Sequence, residues 1–168
     1  MNNFKITILV FLAITISRFV PHPPNFTSLL CVSFYIPAIF GISYILPVLF
    51  SFIFTDFFFG FHNLVLFTWG SVIIIGLISK YFYQSFKLRV IGAILSSFIF
   101  YLLTNYGVWI LGGYEFSIKG LLTSYTMAIP FFKYTILSTL IFSSFFEIFI
   151  FYFKEKKFFK KYFFYRIN

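Results

Sequence analysis

The segment S-R-F-V-P-H-P-P-N-F-T, residues 17–27, carries polar chemistry in a chain that otherwise avoids charge. It combines Arg18, His22 and Asn25 with three prolines. A proline ring fixes φ and restricts the residue before it, so this backbone has few conformations to lose on binding a ligand. These three side chains offer hydrogen bonds and positive charge, and they favour a partner that is anionic or rich in acceptors.

The segment T-D-F-F-F-G-F-H, residues 55–62, adds Asp56 and His62. Together with His22 they could form an acid–base or metal site, but no H-x-x-x-H pair or paired acids show metal-ligand spacing. Arg18 and Asp56 could instead form a structural ion pair. We therefore expect no cofactor and regard an intramembrane enzyme as the weaker hypothesis.

Four further side chains are candidates for the same site. Asn105 lies in T-N-Y-G-V-W, where Gly107 would allow close helix approach and Asn105 could simply hydrogen-bond between helices. Trp69 and Trp109 could stack on a ligand ring, or Trp109 could be an aromatic anchor at the membrane surface. Tyr125 and Lys133 complete the predicted substrate-binding set.

Composition sets the class of protein around these residues. The 168 residues are 61% hydrophobic and 10% charged, whereas a soluble domain carries about 25% charged residues. We expect a polytopic membrane protein with one transmembrane domain, residues 1–153, and a basic cytoplasmic tail, residues 154–168. The single cysteine, Cys31, excludes an internal disulfide.

The apolar runs predict an all-α fold, because lipid leaves the backbone no partner outside its own segment. Several runs approach the roughly 20 residues that span a bilayer, and the chain as a whole predicts six transmembrane helices, of which the second and third are short, with prolines at 37 and 47 as possible kinks. Between the fifth and sixth, residues 112–131 predict a short amphipathic segment at the surface. The predicted helices are 4–20, 27–42, 44–58, 64–83, 89–111 and 132–153.

Positive charge predicts how these helices are oriented. With both termini in the cytoplasm, ten basic residues lie on the cytoplasmic side and three, Arg18, Lys119 and Lys133, on the other. The net charge of +9 then suits anionic lipid headgroups better than nucleic acid. We expect the bilayer to be a partner and nucleic acid not to be.

The same orientation places the candidate site residues together at the outer side of the bundle. Ionisable groups at membrane depth usually line a cavity or pair with each other, so we expect an outward-facing polar pocket. Glu147 is the exception, because it lies in the cytoplasmic half of the last helix. It is predicted to be protonated or paired with Lys154.

Four blocks resemble the signature of a family of uncharacterised bacterial integral membrane proteins, known as a domain of unknown function. The four blocks are residues 17–27, residues 55–62, T-N-Y-G-V-W at 104–109 and Y-T-M-A-I-P-F-F-K-Y-T at 125–135. In size and helix count the family resembles the substrate-binding S components of energy-coupling-factor (ECF) transporters. That resemblance implies a six-helix bundle in the bacterial inner membrane, with an outward substrate pocket.

The resemblance also implies partner proteins. S components dock on a transmembrane coupling protein through small residues of their first helix, and that protein works with ATPase subunits. Ala13 and Ser17 have the spacing that lets helices approach closely, although they could serve packing within the bundle instead. We expect a subunit for binding or transport of an unidentified small solute. A cell-envelope assembly protein is the alternative.

Overall fold

The computed structural model describes residues 3–153, and within that range the chain is all-helical, as predicted. Two short 3-10 turns, Ile42–Tyr44 and Ser79–Tyr81, accompany the α-helices. The predicted basic tail, residues 154–168, lies outside the described residues. The six α-helices are α1 (Asn3–Phe19), α2 (Leu29–Phe40), α3 (Ile45–Phe59), α4 (Val65–Ile78), α5 (Phe86–Ile110) and α6 (Ile118–Phe153).

Three helical segments are long and apolar enough to cross a membrane. They are Ile42–Phe59, Phe86–Ile110 and Ile118–Phe153. The helices Leu29–Phe40 and Val65–Tyr81 are apolar but shorter. Large hydrophobic side chains such as Phe4, Leu66 and Ile118 are exposed along the outside of the bundle, which suits lipid as the surrounding solvent.

Helix α2 is the centre of the bundle. Of its 12 residues, 11 are buried, and it packs against α1, α3, α4, α5 and α6. Its sequence, L-L-C-V-S-F-Y-I-P-A-I-F, has no polar face, and a helix that is apolar on all sides belongs inside a larger assembly. The core therefore consists of α2 and the inward sides of its neighbours.

Small residues on α5 allow its neighbours to come close. Gly92, Ala93, Ser96 and Ser97 are all buried, and Ser97 Oγ donates to Thr139 Oγ1 of α6 at 3.0 Å. A Cβ atom added to Gly107 would lie 2.5 Å from the Phe67 ring of α4, which confirms the close approach expected there.

The prediction of a separate surface segment at residues 112–131 is wrong. Helix α6 starts at Ile118 and continues through Pro130 to Phe153. Its first half is held against the end of α5 by hydrogen bonds from side chains, which the apolar pattern did not reveal. Tyr101 Oη donates to the Tyr125 carbonyl at 2.7 Å, and Ser124 Oγ donates to the Asn105 carbonyl at 2.8 Å.

Gly92→Ala tests the packing of α5 against α2. The new methyl would overlap the ring of Phe34, which is fully buried and cannot swing away. Overpacking of this kind costs about 1–3 kcal/mol, so we expect a lower melting temperature for the detergent-purified protein. Gly70→Ala is the control, because a Cβ there meets no atom within 4 Å. Equal melting temperatures for the two variants would contradict the packing described.

Candidate functional site

A buried ion pair joins the ends of α1 and α3. Arg18 Nη1 lies 2.7 Å from Asp56 Oδ1, and the Asp56 side chain is 1% exposed. Trp69 of α4 donates its indole N–H to Asp56 Oδ2 at 2.8 Å. Both carboxylate oxygens of Asp56 therefore have a donor, and the ion pair considered from the sequence is present.

Only one edge of the Arg18 guanidinium is used by these contacts. Nη1 also donates to Thr55 Oγ1 and to the Phe52 carbonyl, and the group lies over the Phe52 ring, 4.6 Å from its centroid. Nε and Nη2 donate to no group within residues 3–153. Arg18 is also one of the residues that line a cavity at this end of the bundle.

Two adjoining cavities lie at this end of the bundle, which we call the cavity end. Their volumes are about 270 and 300 Å³. Five residues line both cavities: Asn25, His62, Thr68, Phe100 and Thr135. Arg18 and His22 belong to the first cavity and Asn105 to the second, so the structure brings together Arg18, His22, Asn25, His62 and Asn105 of the predicted set.

The loop between α1 and α2 is held by hydrogen bonds that place Asn25 at the cavities. Ser17 and Ser28 hydroxyls are 2.8 Å apart, and Ser28 Oγ donates to the Ala13 carbonyl at 3.1 Å. Asn25 has a φ of 62°, a left-handed conformation that asparagine tolerates. Its carbonyl accepts from Ser138 Oγ at 3.3 Å. The backbone is therefore positioned before any ligand binds.

His62 and Asn105 both keep polar atoms for a ligand. His62 Nδ1 accepts from the Leu64 amide at 3.2 Å, so Nε2 is the nitrogen that remains. Asn105 Nδ2 donates to the Tyr101 carbonyl at 2.8 Å, and its Oδ1 has no partner within the described chain. The cavities thus offer both donors and acceptors.

The other predicted residues lie elsewhere. Trp109 stacks on Phe116, with ring centroids 4.6 Å apart, and Tyr125 Oη donates to the Leu102 carbonyl. Lys133 is exposed and does not line the cavities, although its neighbours Phe132 and Thr135 do. Asp56 and Trp69 do not line either cavity. Asp56 pairs with Arg18 and Trp69 donates to Asp56, so the two residues hold the Arg18 side chain in position.

Glu147 is paired with Arg89, a partner that the sequence did not indicate. Glu147 Oε1 and Oε2 accept from Arg89 Nε and Nη2, each at 2.7 Å, and Tyr35 Oη donates to Oε1 at 2.8 Å. Lys154 lies outside the described residues. The sequence placed Arg89 at the boundary of a loop, but α5 begins at Phe86, so Arg89 is inside the helix and faces α6.

Threonines of the cavity wall were not predicted. Thr27, Thr68 and Thr135 line the first cavity, but a hydroxyl within an apolar helix usually bonds its own backbone. Thr68 and Thr135 do so, to the carbonyls of Val65 and Phe131. Nothing in their sequence context separates them from the other hydroxyls of the chain.

A family model described as Family of unknown function (DUF6580) matches residues 1–161. No curated protein and no solved structure matches the chain.

Trp69→Phe tests the support of Asp56. Phenylalanine keeps an aromatic ring at this position but cannot donate to the buried Asp56 carboxylate. Loss of this hydrogen bond lowers the free energy of unfolding by about 1.5–3 kcal/mol. We expect a clear drop in melting temperature, measured by circular dichroism in detergent. Trp109→Phe is the matched control, because its N–H donates to an exposed carbonyl, that of Glu115, at 3.2 Å. A larger drop for the control would contradict this account.

Proposed function

Because the chain belongs to DUF6580, a family of unknown function, we propose its role from the cavities themselves: it is a membrane-embedded subunit that binds a small polar solute. The observation that carries this proposal is the convergence of five polar side chains from four parts of the chain. Arg18 comes from α1, His22 and Asn25 from the following loop, His62 from the α3–α4 turn and Asn105 from α5. Such a concave site with a few placed polar groups is typical of ligand binding.

The proposed setting is a bacterial inner membrane that holds the six-helix bundle, with both termini cytoplasmic. The ten-to-three distribution of basic residues supports this orientation. In this orientation the cavity end would face the outer side, because its polar residues come from the segments proposed to lie there. The exposed Phe, Ile and Leu side chains along the helices would then contact lipid.

Energy for transport would come from other proteins. The sequence contains no G-x-x-x-x-G-K-[ST] nucleotide-binding loop. A coupling protein with ATPase subunits is the partner expected of an S-component-like protein. Ala13 is exposed on α1 and suits such docking, whereas Ser17 is half-buried and bonded to Ser28 inside the bundle. Of the two small residues, Ala13 is therefore the one available to a partner helix.

The solute must fit a site in which the positive charge of Arg18 is already balanced by Asp56. Asp56 neutralises Arg18, so the free Nε and Nη2 edge offers directed donors without a large net charge. Phe52, Phe59 and Phe100 supply apolar walls. A small molecule with acceptor oxygens and an apolar portion fits these surroundings better than a highly charged one.

Two alternatives from the sequence are less well supported. For an acid–base or metal site, Asp56 would have to face His62, but both of its oxygens are engaged by Arg18 and Trp69. Among residues 3–153, no three His, Cys, Asp or Glu side chains are grouped as metal ligands. An envelope-assembly protein would leave the polar cavities without an occupant.

Mass spectrometry of small molecules released from the purified protein tests the proposal. We expect a near-stoichiometric compound with wild-type protein. His62→Ala and Asn105→Leu remove cavity groups and should reduce its retention by about tenfold, the effect of losing roughly 1.4 kcal/mol. Asn63→Ala and Lys133→Ala are controls, because neither side chain lines the cavities. No enriched compound, or equal losses in the controls, would refute the assignment.

A further inference from the structure

The two histidines of the chain both line the first cavity, and each uses one ring nitrogen for a hydrogen bond to its own loop. His22 Nδ1 lies 2.7 Å from the Pro23 carbonyl oxygen, and His62 Nδ1 lies 3.2 Å from the Leu64 amide nitrogen. Any hydrogen bond from either ring to a ligand must therefore use Nε2. In a neutral imidazole one nitrogen donates and the other accepts, so the loop contact decides what Nε2 can do.

The loop around His22 makes its Nε2 an acceptor. A carbonyl oxygen can only accept, so the proton of the neutral ring is on Nδ1, where it donates to Pro23. The local sequence P-H-P-P explains this tautomer, because Pro21, Pro23 and Pro24 have no N–H and cannot donate to the ring. His22 therefore carries its lone pair at Nε2.

The turn around His62 makes its Nε2 a donor. Here the hydrogen bond comes from a backbone N–H, that of Leu64, so Nδ1 holds the lone pair and the proton of the neutral ring is on Nε2. The same turn is closed by the Val65 amide, which donates to the His62 carbonyl at 3.1 Å. The two histidines of one cavity thus have opposite tautomers, each fixed by the backbone next to it.

The other polar residues of the first cavity add donors but no negative charge. A guanidinium has no acceptor, so Arg18 can only donate to a ligand. The side-chain amide of Asn25 can donate or accept. Among the described residues, no Asp or Glu side chain lines either cavity, so a cationic solute would find no counter-charge in the wall.

We propose that the solute is a neutral molecule with an amide-like edge, in which a carbonyl oxygen and an N–H group are adjacent, as in a lactam or a cyclic imide. This inference rests on the proposed function and deepens it by naming the class of solute. The carbonyl accepts from Arg18 and His62, and the N–H donates to His22 Nε2. A carboxylate has no proton for His22, and an ammonium group has no acceptor for Arg18 or His62, so either would leave polar groups of the site unpaired.

Nuclear magnetic resonance tests the two tautomers without any ligand. Long-range ¹H–¹⁵N correlation spectra of protein labelled with ¹⁵N-histidine distinguish the protonated ring nitrogen from the bare one. The chain has 2 histidines, so His22→Asn and His62→Asn, each of which removes one set of signals, assign the spectrum completely. At alkaline pH we expect the proton on Nδ1 of His22 and on Nε2 of His62. The same tautomer on both rings would overturn the inference.

Matched small probes test the class of solute. Protein washed free of bound compounds is titrated with pyrrolidinone, N-methylpyrrolidinone and pyrrolidinium chloride, and the histidine signals report binding. Pyrrolidinone carries the amide-like edge, the N-methyl analogue lacks the donor, and the cation lacks the acceptor. We expect pyrrolidinone to bind about tenfold more tightly than either analogue, the effect of roughly one hydrogen bond.

His22→Leu removes the acceptor and should abolish the preference for pyrrolidinone over its N-methyl analogue, with binding now reported by His62. Lys133→Ala is the control and should keep the preference, because Lys133 does not line the cavities. Equal affinities for the two lactams in the wild-type protein, tighter binding of the cation, or a preference that persists in folded His22→Leu would each show that the inference is wrong. Monodisperse elution and a preserved helical spectrum establish that each variant is folded.

The class of solute and the proposed function can fail separately. If the wild-type protein releases a near-stoichiometric compound but does not prefer pyrrolidinone, the binding site stands and the solute class is wrong. If the protein retains no compound and binds none of the probes, the proposed function fails as well, whichever tautomers the spectra show.

Discussion

Within residues 3–153, two buried ion pairs join helices at opposite ends of this apolar bundle. Arg18–Asp56 links α1 to α3 at the cavity end, and Arg89–Glu147 links α5 to α6 at the other end. Removing one member of such a pair leaves a buried charge that costs about 3–5 kcal/mol. Helix α2 lies between the linked helices and contacts all of them. The pairs therefore specify which helix ends meet, while apolar packing around α2 supplies the bulk of the burial.

The all-helical fold and the clustering of polar residues at one end could be predicted from the sequence. Helices follow from long apolar runs, because these leave no other way to satisfy the backbone in lipid. Five of these residues could be grouped because each lies at a helix end or in a loop that the order of the helices places on the same side of the bundle: Arg18, His22, Asn25, His62 and Asn105. This argument needs only the order of the helices and their lengths.

The details within the bundle could not be predicted in the same way. An apolar run does not show which residues of α6 face inward, so the position of Thr135 in the cavity wall could not be predicted. Glu147 was assigned a neighbour in sequence, but its partner Arg89 is 58 positions away on another helix. Trp69 was expected to stack on a ligand ring. Its indole N–H instead donates to Asp56, and the sequence alone does not show that these two residues meet. Long-range pairing of this kind depends on helix rotation, which composition does not encode.

The burial of α2 has a consequence for how the chain folds. With 12 residues it is about 18 Å long, well short of the roughly 30 Å of a bilayer's hydrocarbon core. It has almost no surface left for solvent or lipid, so its side chains reach their final surroundings only when the helices around it have packed. The core around α2 is therefore complete only when α6, far along the chain from it, has packed against it.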